Sequence, residues 1–236
     1  MTDTRESAAR IGDSGHRHFS VSSKARLTGR DLGRFQGNTL FDRLARAVCQ
    51  AGCLPRKELY EAWEMARRIR RRFRGGRIVD LAAGHGLLSH VLLILDDSSP
   101  GALLVDTSPP KSAARLHATL VETWPRLAGR FAAENRPLES APLFAWDLVV
   151  SSHACGGLTD VVLEGAAAVR ARVAVLPCCH DLALYETGSL SGWLDTSLAI
   201  DVMRAVRLEQ RAYRVWTQTI PAAITPRNRL LLGEPI

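Results

Sequence analysis

Acids and glycines are spaced for chemistry at two points of this 236-residue chain. Asp80 sits in a short apolar run, Arg77-Ile78-Val79-Asp80-Leu81, followed by Ala82-Ala83-Gly84-His85-Gly86 and then an apolar stretch over 87–95. A second apolar run over 101–105 ends in Asp106. That acid lies ~20 residues beyond the turn, where a ribose-binding carboxylate belongs. A strand, a glycine turn and a helix start bring backbone N–H groups close to a ligand. Two further segments gather histidines and thiols: Ser151-Ser152-His153-Ala154-Cys155-Gly156-Gly157-Leu158-Thr159-Asp160 and Pro177-Cys178-Cys179-His180.

Two cofactor classes use such a turn, dinucleotides and S-adenosylmethionine (SAM). The acid here precedes the glycines, as Asp80-x-x-x-Gly84-x-Gly86, and Ser89 stands where the third glycine of G-x-G-x-x-G would be. SAM has no pyrophosphate. It carries an ammonium and a sulfonium, which a carboxylate near the turn neutralises. The pattern therefore favours SAM over a dehydrogenase cofactor. The plainer alternative is a tight turn in an α/β core, and the pairing of the turn with a second acid argues against it.

The elements that must position these residues follow from periodicity. Helices are predicted over 39–51, capped by Thr39 and ended by Gly52, and over 55–73, ended by Gly75 and Gly76. Strands are predicted over 77–81, 101–106, 131–134, 146–152 and 172–176, with helices over 87–95, 112–127, 161–169 and 191–210. A strand pair, 213–220 and 227–233, closes the chain. This alternation predicts an α/β fold: a Rossmann-like, doubly wound, mostly parallel seven-stranded sheet with a C-terminal antiparallel strand pair. Residues 1–36 read as a flexible basic tail, 37–76 as an N-terminal helical extension and 77–236 as the SAM-binding domain. Asn135, just past the third strand, is placed to sit over an adenine edge. The loop 224–230, with Arg227 and Arg229, reads as a charged hairpin turn.

Composition limits the partners. Hydrophobic content is 46% and net charge +7, with a pI near 9.6. This is a globular composition whose balance favours polyanions. Arg67, Arg68, Arg70, Arg71, Arg72, Arg74 and Arg77 form the densest charge in the chain. With few acids near them in sequence, they are read as a track for RNA phosphates, ahead of a solvated helix face. Five cysteines, two of them adjacent, do not suggest a secreted disulfide framework. Cys49 and Cys53 read as core residues. The N-terminus has no apolar signal core and no apolar run reaches ~18 residues, so a cytoplasmic protein without a membrane partner is expected. No metal is expected. Cys178 and Cys179 on one extended strand point to opposite faces, which disfavours a zinc site with Cys155 and His180.

At these residues the chain resembles a known family. Asp80-Leu-Ala-Ala-Gly-His-Gly, His153-Ala-Cys155-Gly-Gly-Leu-Thr-Asp160 and Pro177-Cys-Cys look like class I SAM-dependent methyltransferases that carry H-x-C-G-x-x-T/S-D and P-C-C segments. That family includes the methyltransferase domain of the glutathione-S-transferase C-terminal-domain-containing protein. The tRNA 2′-O-methyltransferases are more distant relatives, and their zinc-binding N-terminal region has no counterpart here. The resemblance covers roughly 55–233. It implies that the loop Asp80, Leu81, Ala82, Gly84 and Gly86, together with Asp106, binds SAM, and that Ser151 to Cys155 border the methyl group.

Three mechanisms fit. His153 can act as a general base towards a hydroxyl or amide, with an ordinary pKa near ~6.5. Alternatively, in-line positioning suffices and His153 shapes the pocket. In the third, Cys155 attacks a pyrimidine ring and Cys178 or Cys179 assists release. The expectation is a SAM-dependent methyltransferase acting on RNA (tRNA or rRNA). The alternatives are a protein or small-molecule methyltransferase, or a protein that binds SAM or a nucleotide without turnover.

Overall fold

The computed structural model describes residues 19–177, 179–180 and 187–236. Seven strands form one sheet in the order β3-β2-β1-β4-β5-β7-β6. They are β1 Ile78–Leu81, β2 Ala102–Asp106, β3 Phe131–Asn135, β4 Leu148–Ser151, β5 Arg172–Val175, β6 Tyr213–Thr219 and β7 Arg229–Pro235. β1 pairs in parallel with β2 and β4, β3 extends β2 and β5 extends β4. β7 runs antiparallel to both β5 and β6. The predicted sheet and its closing strand pair are borne out. The tips of β1, β2 and β4 therefore open on one end of the sheet, on either side of the place where strand order reverses.

Strand side chains alternate between two cores, as the period of two requires. Ile78, Ala102, Leu148 and Leu232 join one buried cluster, with residues of helices α1 Leu40–Ala51, α2 Arg56–Arg72, α3 Leu87–Leu95 and α4 Ala113–Thr123. Val79, Leu103, Val149 and Leu231 join the other, under α5 Leu158–Ala168 and α6 Thr196–Gln210. Leu87 to Ile94 are all buried in α3. The sheet covers one side of α3 and α2 packs over another, so the helix is apolar all round.

Helix signals in the sequence hold well. The Thr39 hydroxyl accepts the Asp42 N–H at 3.1 Å, and Gly52 closes α1 with φ +62°. α6 is shorter than expected. A 3-10 turn over Gly188–Gly192 precedes it, and Asp195 caps its start by accepting the Leu198 N–H.

The tail expected over 1–36 is corrected for its second half. Residues 1–18 lie outside the described residues. From Phe19 onward the segment is docked: Leu27 and Phe35 are buried, and the Leu27 N–H donates to the Leu54 carbonyl at 2.9 Å. The Arg56 guanidinium lies 3.5 Å from the Phe19 ring centroid. The segment is held by extended pieces and one 3-10 turn, Gly29–Arg34, so it shows no apolar period.

The premise for a phosphate track also changes. Three of the arginines find acids that are distant in sequence. Arg70 is buried, donates to the Leu92 carbonyl and Ser99, and sits 3.5 Å from Asp96. Arg74 pairs with the same acid, and Arg77 forks onto the fully buried Asp147 at 3.0 and 2.8 Å. Arg67 and Arg68 pair with Glu64, and Arg72 stacks on Trp216. Position matters as well. Arg77 precedes β1, and Asp96 follows the C-terminus of α3. Arg70, Arg74 and Arg77 thus gather at the end of the sheet opposite the glycine turn.

Candidate functional site

The turn after β1 is built from left-handed residues. Ala82, Gly84 and Gly86 have φ of +57°, +55° and +71°. A side chain on Gly86 would bring its Cβ to 2.7 Å of Leu104, while the space beside Gly84 is open. Ala82 adopts the same region with a Cβ, which costs an L-residue about 1–2 kcal/mol. Asp106 holds the turn to the tip of β2. Its Oδ2 accepts the Gly84 N–H at 2.9 Å, and its Oδ1 accepts the Ser108 N–H at 2.8 Å. Each oxygen keeps a second lone pair that can accept a ribose hydroxyl. His85 Nε2 lies 2.9 Å from Ser112 Oγ, tying the turn to the start of α4.

Asp80 lies beneath this turn. It is 1% exposed, Ser89 Oγ donates to its Oδ2 at 2.9 Å, and its Oδ1 has no partner among the described residues. Desolvation, reinforced by the Asp106 charge, pushes its pKa up to about 7 against the bonds from Ser89. A buried carboxylate with an empty acceptor is an open place for a cation or a donor.

A cavity of about 300 Å³ opens beside the turn. Ala82, Ala83 and Gly84 form its floor, Asp106 stands on one wall, and Ser152 and His153 stand on another. The structure thus gathers Ala82, Gly84, Asp106 and His153 around one space. Asn135 is exposed at the tip of β3, in register with Asp106. Leu81 and Ser151 are buried and do not line the cavity. Leu81 belongs to the α5 side of the core, and Ser151 Oγ accepts the Ala154 N–H. Ser152 faces the cavity in its place. His153 is accessible at the mouth. Desolvation by the surrounding protein, then Lys57 and His85, hold its pKa below the ordinary histidine value, against Asp106. Cys155 is exposed on the same loop, beyond the cavity wall.

The two motif loops are joined. Gly156, at φ +59°, donates its N–H to the Cys179 carbonyl at 3.2 Å. The Thr159 hydroxyl donates to the Ala154 carbonyl at 2.6 Å. Asp160 pairs with the buried Arg204 at 2.7 Å, and Arg204 also donates to the Gly156 carbonyl. These contacts fix the loop that carries His153. Cys178 lies outside the described residues. His180 Nε2 is 2.8 Å from Asp201, which Arg204 and Arg229 also meet. Among the described residues no group of three metal-ligating side chains comes together.

Sequence reasoning missed Glu58 and Glu61. Both line the cavity from α2, facing the turn. Glu61 is 5% exposed and pairs with Lys57 Nζ at 3.0 Å. Thr225, on the loop before β7, also bonds its carboxyl, so that loop reaches the cavity's surroundings. Burial, then the neighbouring Glu61, pushes Glu58 up to about 7 against Lys57. Their three-residue spacing puts them on one face of the helix start, and that was the available signal.

No protein-family model matches the chain, and no curated protein sequence does. Solved structures do match. A candidate O-methyltransferase from Nostoc punctiforme aligns with TM-score 0.52 at 13% identity, over 82% of this chain and 60% of that one. A candidate rRNA methylase from Clostridium thermocellum gives 0.51 at 14% identity, over 72% and 93%. The SAM-dependent methyltransferase SibL, in its apo form, gives 0.50 at 16%, over 89% and 66%. The chain thus spans less than two thirds of the length of the Nostoc and SibL proteins. What is shared is the fold, a seven-stranded, mostly parallel α/β sheet closed by an antiparallel strand pair. Among the described residues no helix is long and apolar enough to cross a membrane.

Proposed function

We propose that the chain is a SAM-dependent methyltransferase. The observation that carries this reading is Asp106. It stands at the tip of β2, bonded to the Gly84 N–H, on the wall of a cavity that also meets His153 at the tip of β4. Asp106 would take the ribose, Asn135 the adenine edge, and the left-handed turn the methionine end. The methyl group would then lie towards Ser152 and His153. Methyl transfer breaks the S–CH3 bond and forms a bond to the acceptor, and little beyond alignment is required. His153 is held neutral at pH 7 and can take the acceptor's proton. Ionised Asp80 would face the positive end of SAM from below.

We further place the chain with the methyltransferases that carry H-x-C-G-x-x-T/S-D and P-C-C segments. The joined loops support this, since Gly156, Thr159 and Asp160 each have a defined role in holding the cavity wall. For the acceptor we favour a small neutral or cationic molecule with an N–H or O–H group. The cavity presents Glu58 and Glu61 and, among the described residues, no arginine, which suits a cation better than a phosphate, and the buried arginine pairs lie at the other end of the sheet. The net charge of +7 keeps RNA as the second reading.

The test is incubation of the protein with methyl-labelled SAM and an extract of cells lacking it. Label in small molecules supports the first reading. Ribonuclease-sensitive label moves the acceptor to RNA, and protease-sensitive label moves it to protein. No label, with no SAM binding by calorimetry, overturns the assignment.

A further inference from the structure

The cavity is acidic in a basic protein. Glu58 and Glu61 on α2 and Asp106 on β2 face it, and among the described residues no lysine or arginine lines it. Its histidines, His85 and His153, are both held below the ordinary histidine pKa, first by desolvation. The three carboxylates are not equivalent. Asp106 bonds the Gly84 and Ser108 N–H groups. Glu61 has Lys57 at 3.0 Å and Thr225. Glu58 has neither an ion pair nor a hydrogen bond of this kind among the described residues, although burial raises its pKa. Beneath the same turn the buried Asp80 Oδ1 also lacks a partner. Glu58 is half-buried on the cavity wall with acceptor capacity to spare, and the turn beside that wall has a second unsatisfied carboxylate oxygen beneath it, so this end of the cavity suits a cation.

The geometry limits which cation. Asp106 marks the ribose end, so the region lined by Glu58, Leu87 and Leu88 takes the remainder of the ligand, its amino-acid end. Resting on the SAM reading above, we propose that Glu58 receives the ammonium of the cofactor's methionine from above the glycine turn. The helix before the sheet thereby closes the cofactor site. The interaction is a charge-assisted N–H···O bond in a partly desolvated cavity, and it acts on SAM and on its demethylated product alike.

Calorimetry on the full chain tests this with three probes: SAM, S-adenosylhomocysteine and 5′-methylthioadenosine. The first two carry the ammonium, and the third keeps the adenosine and thioether but lacks the amino acid. Glu58→Gln preserves shape and removes the charge. The expected result is a loss of roughly 10- to 100-fold in affinity for both amino-acid probes, the worth of one hydrogen bond to a charged group. Methylthioadenosine binding should be unchanged, which also shows that the variant is folded. Unchanged SAM and S-adenosylhomocysteine affinity overturns the assignment while leaving the methyltransferase reading in place. An equal loss for all three probes overturns it as a general disturbance. A loss for SAM alone would move Glu58 to the sulfonium and also overturn it. A wild-type chain that binds none of the three would overturn the SAM reading and this assignment with it.

Discussion

Asp80→Asn is the substitution whose outcome the structure fixes most tightly. The side chain is 1% exposed with one oxygen unpartnered, and its pKa is about 7 where an open aspartate has 3.8. Keeping the ionised form in that place costs about 4 kcal/mol at neutral pH. The sign follows from proton counts. Between pH 4 and 7 the folded chain keeps a proton on Asp80 that the unfolded chain has released. Stability from this group is therefore full below pH 4 and falls by about 1.4 kcal/mol per pH unit above it. It is lost by pH 7. Asparagine has the same shape and never ionises, but it leaves a buried N–H donor unsatisfied, at about 1–3 kcal/mol at every pH. The variant should be less stable than wild type near pH 4 and more stable by about 1–3 kcal/mol near pH 8, with SAM affinity reduced. Urea unfolding of both proteins across pH 4–8 measures this directly. A stability difference that does not change with pH would refute the reasoning, because Asp80 would then be ionised and satisfied by groups the structure does not show.

Three further outcomes are expected. Ala82→Gly relieves a left-handed residue worth about 1–2 kcal/mol and loses about 0.5–1 kcal/mol to chain entropy, so thermal melting should rise slightly rather than fall. Arg77→Met strands the fully buried Asp147 and should cost about 3–5 kcal/mol in urea unfolding, whereas Arg71→Ala, on an exposed side chain, should stay within about 0.5 kcal/mol of wild type. With a methyl acceptor in hand, His153→Ala should bind SAM normally and transfer methyl groups roughly 100-fold more slowly if His153 is the base. The wild-type rate should then stay level above pH 7, because the lowered pKa leaves His153 neutral there, and fall under acid conditions.

How much of this was legible depends on the range of the interaction concerned. Thr39, Asp42 and Gly52 mark α1 because caps act within a few residues. β1, β2, β4 and β5 read clearly as short apolar runs because central parallel strands are buried on both faces, whereas β3, at the sheet edge, is largely exposed. Asp106 was found because the distance from turn to acid is set by one βαβ unit. The misses all depend on tertiary contacts. Ser152 rather than Ser151 faces the cavity, since one residue reverses the side of a strand's end. The docking of 19–36 rests on single contacts such as Leu27 with Leu54 and Arg56 with Phe19, which leave no period. Glu58 and Glu61 lie some twenty residues before the turn they face, and only the packing of α2 on α3 brings them there.

The arginine cluster and the acidic cavity make one argument about reading charge. A helix of 17 residues is about 25 Å long, longer than the Debye length of about 8 Å in physiological salt. The two ends of α2 can therefore carry opposite fields without cancelling. The C-terminal end is basic; Arg70 on it, with Arg74 and Arg77 just beyond it, is tied to Asp96 and Asp147 at the closed end of the sheet. The N-terminal end brings Glu58 and Glu61 to the open end, where a cationic cofactor would sit. A net charge of +7 describes the average of these fields, while binding depends on the local one. The residues of α2 that matter most to the site are thus the two acids near its start rather than the arginines that dominate its sequence.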